Sequence, residues 1–297
     1  MTERRFNFVT CDVFTERRFG GNPLAVLTDA RGLSSEEMQS IAQEFNYSET
    51  TFVLPAADQR NTARVRIFTP MRELPFAGHP TVGTAHVLAT LGVVPATTQD
   101  IVFEEGVGAV AVRIDRQGGR VTRCTLTAAR LPERAAPAPS REALATTLSL
   151  DAKEVLDGAE AWSCGLPFLT VPVAGLPVLA RCRPDGAAIS RVLGDYATQA
   201  VYAVAREGAE TWRIRCFVPH VNPVEDPATG SAAAAFAGWL AARAPAGDST
   251  LRFRLHQGVE MGRPSELALE IDRAGGRISA VRVGGAAVIV SEGSLQL

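Results

Sequence analysis

Lysine is almost missing from this 297-residue chain: of its thirty basic residues, Lys153 is the one lysine and the other twenty-nine are arginine. No Gly-Lys pair exists, which excludes a Walker A phosphate loop. Lys153 sits in Asp-Ala-Lys-Glu-Val, which reads as an exposed helix, so a pyridoxal-phosphate Schiff base is not expected. The five cysteines, Cys11, Cys124, Cys164, Cys182 and Cys216, are odd in number and never spaced Cys-x-x-Cys. That suits free thiols in a reducing cytoplasm better than a disulfide framework. The four histidines, His79, His86, His220 and His256, form no His-x-x-x-His pair, so no metal site is expected. Apolar runs fall short of the ~20 residues that span a bilayer. A strand pattern follows directly on Met1-Thr2-Glu3-Arg4-Arg5, so the expectation is a chain without a secretion signal. Thirty basic against thirty-two acidic residues leave a net charge of −2, which argues against nucleic-acid and membrane-surface partners.

What the chain does have is a globular balance, 46% hydrophobic and 21% charged, and enough length for two domains. It also has an internal echo. Residues 64–70 read RVRIFTP and residues 213–219 read RIRCFVP, so Arg64, Arg66, Phe68 and Pro70 match Arg213, Arg215, Phe217 and Pro219. Both segments alternate polar and apolar residues, the signature of a half-buried strand, and both stop at a proline. A Pro/Gly-rich loop follows each, ELPFAGHPTVG (73–83) and NPVEDPATG (222–230). Each loop enters a helix of small and apolar residues, TAHVLATLG (84–92) and SAAAAFAGWLAA (231–242). A helix apolar on every side has to be buried on every side. Strand-like runs at 23–27, 50–54, 101–104 and 109–114, then at 169–173, 201–205, 251–255 and 266–271, flank the two helices. The expected architecture is α+β: a curved, barrel-like sheet around one central helix, made twice. Gly21-Asn22-Pro23-Leu24 against Gly165-Leu166-Pro167-Phe168 is a weaker second echo. Residues 128–145, rich in Ala, Pro and Arg, read as a linker between the halves, and the tail 286–296 reads as a strand in need of a partner.

Gly106-Val107-Gly108-Ala109-Val110-Ala111 fits G-x-G-x-x-A, but a strand pattern follows where a dinucleotide site needs a helix, so a hairpin turn is expected. Ser34 and Glu37 form a capping box ahead of an amphipathic helix carrying Met38, Ile41, Ala42 and Phe45. That helix ends near Asn46-Tyr47, and Ser48 and Glu49 fall in the turn before the next strand. The two loop-to-helix junctions are candidate anion sites, because a helix start offers N–H groups and a positive dipole end. Gly78, His79 and Pro80 line one junction; Asp226, Thr229, Gly230 and Ser231 line the other. His79 either titrates near neutrality or is a satisfied loop histidine. Asp226 either holds an amine or caps its helix. Ser231 lacks a G-x-S-x-G setting, so ligand binding suits it better than nucleophilic attack.

Taken together, DVFTERRFGGNPLAVL (12–27), IAQEFNYSETTFVL (41–54), RIFTPMRELPFAGHPTVGTA (66–85), NPVEDPATGSAAAA (222–235) and VRVGGAAVIVSEGSLQL (281–297) resemble the PhzF family, phenazine-biosynthesis-like isomerases related to diaminopimelate epimerase. The resemblance implies two similar domains, 1–125 with 284–297 and 126–283, a site between them, a C-terminal strand that returns to the first domain, and a homodimer. It implies cofactor-free isomerisation of trans-2,3-dihydro-3-hydroxyanthranilate, a proton moving from C3 to C1. The acid/base glutamate of the motif N-x-S-E-(S/T)-T-F falls on Glu49, the histidine of A-G-H-P on His79, and the aspartate and serine of D-P-x-T-G-S on Asp226 and Ser231. These three, Glu49, His79 and Asp226, are the expected catalytic set, with Ser48, Gly78, Thr229, Gly230 and Ser231 around a small carboxylate substrate. The epimerase relatives use a cysteine at each junction; here residues 73–83 and 222–231 contain none, so two-thiol racemisation is not available. Two rivals stand beside this reading: an isomerase or epimerase of another small amino or hydroxy acid, and a binding protein that has lost catalysis.

Overall fold

The computed structural model describes residues 4–219 and 224–297; His220, and Asn222 and Pro223 of the second loop, lie outside the described residues. The chain divides into two compact units, Met1–Ala129 with Gly284–Leu297, and Arg130–Val283. The fold is α+β.

In the first unit the elements are β1 (Arg5–Val13), β2 (Asn22–Leu27), α1 (Ser35–Phe45), β3 (Glu49–Leu54), β4 (Ala63–Phe68), β5 (Glu73–Leu74), α2 (Gly78–Thr90), β6 (Asp100–Glu105), β7 (Gly108–Gln117) and β8 (Arg120–Thr127). The second unit contains β9 (Glu133–Pro137), α3 (Arg141–Thr147), β10 (Glu160–Ser163), β11 (Pro167–Pro172), α4 (Leu176–Arg181), α5 (Gly186–Leu193), β12 (Val201–Arg206), β13 (Thr211–Phe217), β14 (Glu225–Asp226), α6 (Gly230–Ala241), β15 (Ser249–Gln257) and β16 (Ser265–Ala274). Strand β17 (Arg277–Gly285) leads out of it, and β18 (Ala287–Gln296) ends the chain.

The two apolar helices are the cores. Every residue of α2 from Gly78 to Ala89 is buried, as are Ala232 to Leu240 of α6. Close approach is built in with glycine: a Cβ on Gly83 would stand 2.6 Å from Leu24 and Val13, and one on Gly238 would stand 2.2 Å from the Trp162 ring. Packing of this density leaves no room for a methyl group. The apolar tail has its partner: β18 runs antiparallel to β1 from Arg5↔Gln296 to Val13↔Ala287, which places β1 between β2 and β18.

The internal echo is physical. Strand β4 pairs with β3 and β5, and runs parallel to β6; β13 pairs with β12 and β14, and runs parallel to β15. In the first unit Arg66 forks onto Glu73 with two bonds of 2.7 Å and lies 5.0 Å from the Phe68 ring. In the second, Arg215 forks onto Glu225 at 2.8 and 2.6 Å and lies 4.9 Å from the Phe217 ring. The alternation seen in sequence thus places matching arginines, aromatics and acids at matching rungs. The capping box at Ser34 and Glu37 is formed, and the glycines at 106 and 108 make the β6–β7 hairpin with Glu105 opposite Gly108.

Three expectations change. Residues 128–145 are no linker: Glu133–Pro137 pairs with β10, and Ser140 caps α3, whose Leu144 and Ala145 enter the second core. Alanine and proline lower the periodicity of so short a strand, so composition alone reads as loop. Lys153 lies on a single 3-10 turn, exposed, rather than in an α-helix. Helix α2 starts at Gly78, earlier than the pattern suggested, because Pro80 is tolerated in a first turn where its missing N–H has no intrahelical acceptor.

Arg215 is 6% exposed and Glu225 14%, whereas Glu73 in the matching pair is 42% exposed. Removing one partner of a buried pair strands the other charge. Arg215→Ala is therefore expected to lower unfolding free energy by about 3–5 kcal/mol, and Arg66→Ala by clearly less. Urea denaturation of both variants checks this; equal losses would contradict the burial argument.

Candidate functional site

Helix α1 closes on Asn46, whose backbone adopts φ 52° and donates its N–H to the Ala42 carbonyl. Asparagine tolerates that left-handed corner better than most residues. The corner turns the chain through Tyr47 and half-buried Ser48 into β3, where Glu49 is the first strand residue rather than part of the turn. Its backbone lies beside Leu24 in the parallel β2–β3 pairing. The side chain is 16% exposed, and its Oε2 stands 3.5 Å from Nε2 of His79.

His79 occupies the second position of α2 and is buried. Burial pushes the imidazole down to about 3, so His79 does not titrate near neutrality as its residue type suggests. Desolvation of the charged form outweighs the opposing effect of its bond to the Pro23 carbonyl. That bond consumes the single N–H of the neutral ring at Nδ1, since Nε2 has no hydrogen-bond partner. Nε2 is thus a lone-pair acceptor facing a carboxyl oxygen. Two acceptors at this distance call for a donor between them: a carboxyl proton, or an N–H or O–H of a ligand. The Gly-Asn-Pro stretch that carries Pro23 was visible in sequence as an echo and within a family-like segment; its part in fixing the tautomer depends on tertiary placement.

The N-cap residue of α2, Ala77, has no side-chain acceptor, so the N–H groups of Gly78 and His79 are not capped by it. Such a helix start attracts anions.

In the second unit Asp226 on β14 lies opposite Cys216, which lies opposite Tyr202. Residues on one rung share a face. Asp226 accepts the Thr229 hydroxyl at 2.5 Å. Gln257 then locks the loop: its amide donates to the Asp226 carbonyl at 2.8 Å and the Thr229 Oγ1 at 2.9 Å, and its oxygen accepts the Thr229 N–H at 3.2 Å. Thr229 is the N-cap of α6 without a side-chain capping bond, Gly230 opens the helix, and Ser231 is partly exposed at its second position. Asp226 is therefore not the helix cap; it is held through Thr229. Gln257 carries no motif, and only the strand register reveals it. The Cys216 thiol is buried, and burial with the Asp226 charge pushes its ionisation up, so it acts as a small apolar side chain. Among the described residues no three His, Cys, Asp or Glu side chains gather in a metal-binding arrangement, and no helix is long and apolar enough to cross a membrane.

The structure thus joins Glu49 to His79 and Gly78 in one unit, and Asp226 to Thr229 and Gly230 in the other. With this geometry in place, comparison with known proteins is informative. The family model described as phenazine biosynthesis-like protein matches residues 11–293. The chain belongs to the PhzF family. A trans-2,3-dihydro-3-hydroxyanthranilate isomerase of Pseudomonas aeruginosa is 38% identical over 297 residues, covering 98% of this chain and 99% of that one. An uncharacterised isomerase of Mesorhizobium japonicum is 41% identical over 300 residues, covering 97% and 98%. The crystal structure of a Bacillus anthracis phenazine biosynthesis protein of the PhzF family superposes with a TM-score of 0.88 at 25% identity, covering 99% of this chain and 100% of that one. Membership makes the chain an isomerase.

Burial also holds His86 down, to about 4. A histidine depressed on folding binds its proton only when unfolded, so stability is present above pH ~6.5 and is lost as pH falls through 6.5 toward 4. Near pH 5 these two histidines should contribute an uptake of about two protons on unfolding, one each for His79 and His86. Thermal unfolding across pH 4–7 measures this. His79→Gln and His86→Gln should each remove about one proton of that uptake; an unchanged slope in both would contradict burial of the neutral rings.

Proposed function

We propose that this PhzF-family protein is a cofactor-independent isomerase that moves a proton between two carbons of a small cyclic carboxylic acid, of the trans-2,3-dihydro-3-hydroxyanthranilate type, with Glu49 as the acid/base group. The observation that carries the reading is the Glu49–His79 pair: a mostly buried carboxyl whose near neighbour is a neutral imidazole with its lone pair exposed to it.

One carboxylate can accept a proton at C3 and return it to C1 on the same face, so no second base is needed. The enol formed then tautomerises to the ketone. Transfer of this kind is fastest when the group is held within hydrogen-bond reach of the carbon-bound proton. Glu49 begins a strand held by β2, and so has little freedom to drift. His79 Nε2, as an acceptor, suits an amine or hydroxyl of the substrate, which fills the demand for a donor described above. The start of α2 suits the substrate carboxylate. Asp226, steadied by Thr229 and Gln257, supplies a fixed acceptor for a second substrate donor, with Ser231 and Gly230 beside it. Ser48 stands next to Glu49 in sequence and completes the set. The same reading makes the protein a cytoplasmic homodimer; its buried, unpaired thiols suit that compartment.

Proton NMR in D2O with trans-2,3-dihydro-3-hydroxyanthranilate tests the proposal. Wild type should consume the substrate, and Glu49→Gln should slow turnover by about 10²–10⁴-fold while binding an anthranilate with unchanged affinity. His79→Asn and Asp226→Asn should each cost about 10–100-fold in kcat/KM, the scale of a lost hydrogen bond to a charged group. Wild-type rates in Glu49→Gln would end its role. An inert wild type that binds anthranilate and exchanges carbon-bound deuterium in another small acid would move the substrate assignment.

A further inference from the structure

Strand register assigns an equivalent to Gln257 in the first unit. In the parallel pair β13–β15, Arg213 lies beside His256, and Gln257 follows; in β4–β6, Arg64 lies beside Glu104, and Glu105 follows. Arg64 and Arg213 are the matching arginines of the repeat. The surroundings agree. Each of the two residues precedes a glycine that packs on the proline of the neighbouring loop: a Cβ on Gly106 would stand 2.7 Å from Pro75 Cα, and one on Gly258 would stand 2.6 Å from the Pro227 carbonyl oxygen. Leu74-Pro75 follows Glu73 just as Asp226-Pro227 follows Glu225.

Gln257 fastens the N-cap of α6. Glu105 stands where it can fasten the N-cap of α2. It is buried, its Oε1 lies 2.7 Å from the Thr81 hydroxyl, and that hydroxyl lies 2.8 Å from the carbonyl of the N-cap residue Ala77. The backbone bond from Thr81 N–H to the same carbonyl is long, at 3.3 Å. Proton counting leaves two directions for the chain. Thr81 owns one hydroxyl proton and has two oxygen neighbours. If that proton goes to the Ala77 carbonyl, the Thr81 oxygen must accept from Glu105, which requires a protonated carboxyl. If Glu105 is ionised it takes the Thr81 proton, and Ala77 loses its side-chain bond. Glu105 Oε2 is buried without a hydrogen-bond partner, which is tolerable for an acid carbonyl and costly for a carboxylate.

We propose that Glu105 is a positioning residue that works as a neutral carboxylic acid, donating to Thr81 and through it holding the Ala77 carbonyl, and so the start of α2 with Gly78 and His79, in place. It is the protonated counterpart of the Gln257 amide. Burial holds its proton up to about pH 8. The charged groups around it pair among themselves or reach solvent. Arg66 and Glu73 pair with each other, Glu104 accepts from Ala57, Asp58 and Asn61, and Arg64 is exposed at the mouth of the small pocket that Glu105 helps to line. On α2 the titratable groups, His79 and His86, are neutral.

The sign follows from linkage. Between pH ~4.5 and ~8 the unfolded chain has released this proton and the folded one keeps it, so stability falls as pH rises through that window. The contribution opposes that of the buried histidines, and is isolated by comparing Glu105→Gln with wild type. In wild type, unfolding at pH ~7 should release about one proton more than in Glu105→Gln. The infrared band of a protonated carboxyl should appear in wild type at pH 7 and be missing from Glu105→Gln. Activity of wild type should fall above pH ~8, and Glu105→Gln should keep wild-type activity at pH 7 while losing that alkaline decline. Glu105→Ala should lose about 10²-fold at every pH, the scale of a misplaced group. Wild type alone provides a further check that needs no folded variant: protection of the Thr81 amide against hydrogen exchange, corrected for pH, should drop across pH ~8. Equal proton release in wild type and Glu105→Gln, or constant Thr81 protection across that range, would overturn the proposal. The activity arm rests on the role proposed for His79 and Glu49, and the other arms do not. If Glu49→Gln stays active while Glu105→Gln removes the extra proton, the catalytic reading falls and this one stands.

Discussion

A helix with no polar face can be stable in water only when other chain covers it all round, and α2 and α6 are both of this kind. Covering them takes the curved sheet of each unit and uses nearly all of its inward side chains. The polar parts of such a helix that remain available are its ends. At the N-terminal ends the backbone N–H groups lack intrahelical acceptors. The polar backbone these helices leave open therefore gathers at two short loops, 75–79 and 227–231, where glycines, prolines and small residues serve close approach to the sheet.

The same burial decides protonation. His79 and Glu105 are both held uncharged for one reason, desolvation, which moves them in opposite directions: it strips the proton from the imidazole and keeps it on the carboxyl. The region around α2 thus works with neutral groups that have fixed donor and acceptor faces. A neutral imidazole with Nδ1 anchored to Pro23 can only accept at Nε2. The outcome is a fixed hydrogen-bonding direction without a permanent charge pair, which in a dry interior would demand desolvation of two ions. The second unit reaches a comparable result by other means, an amide at Gln257 and a hydroxyl at Thr229 around one carboxylate.

Much of this was legible in the order of residues. RVRIFTP and RIRCFVP announced the duplication because alternation and paired arginines are local patterns, and both survive as strands carrying the same arginine–glutamate fork. The all-apolar helices were legible for the same reason. Glu49, His79 and Asp226 were singled out through resemblance to the PhzF family, since one acid among many has no local mark; the structure puts Glu49 beside His79 and ties Asp226 to Thr229. The ionisation of His79 was not legible, because burial is a property of the fold and the residue type points to neutrality. Gln257 and Glu105 were invisible for a different reason. They sit in different residue classes, and only the register of two parallel strand pairs shows that they occupy one position. Residues 128–145 misled because alanine, proline and arginine compose loops and short edge strands alike.

Strand β1 lies between β2 and β18, and β18 is the last element of the chain. During synthesis the first unit therefore waits, with one side of β1 unsatisfied, until residues 287–296 have been made. The second unit is continuous from Arg130 to Val283 and faces no such delay. The usual order in which the domain made first folds first is reversed for completion here. Loss of residues 287–296 would remove a strand from the unit that contains Glu49, although more than two hundred residues of chain separate the two.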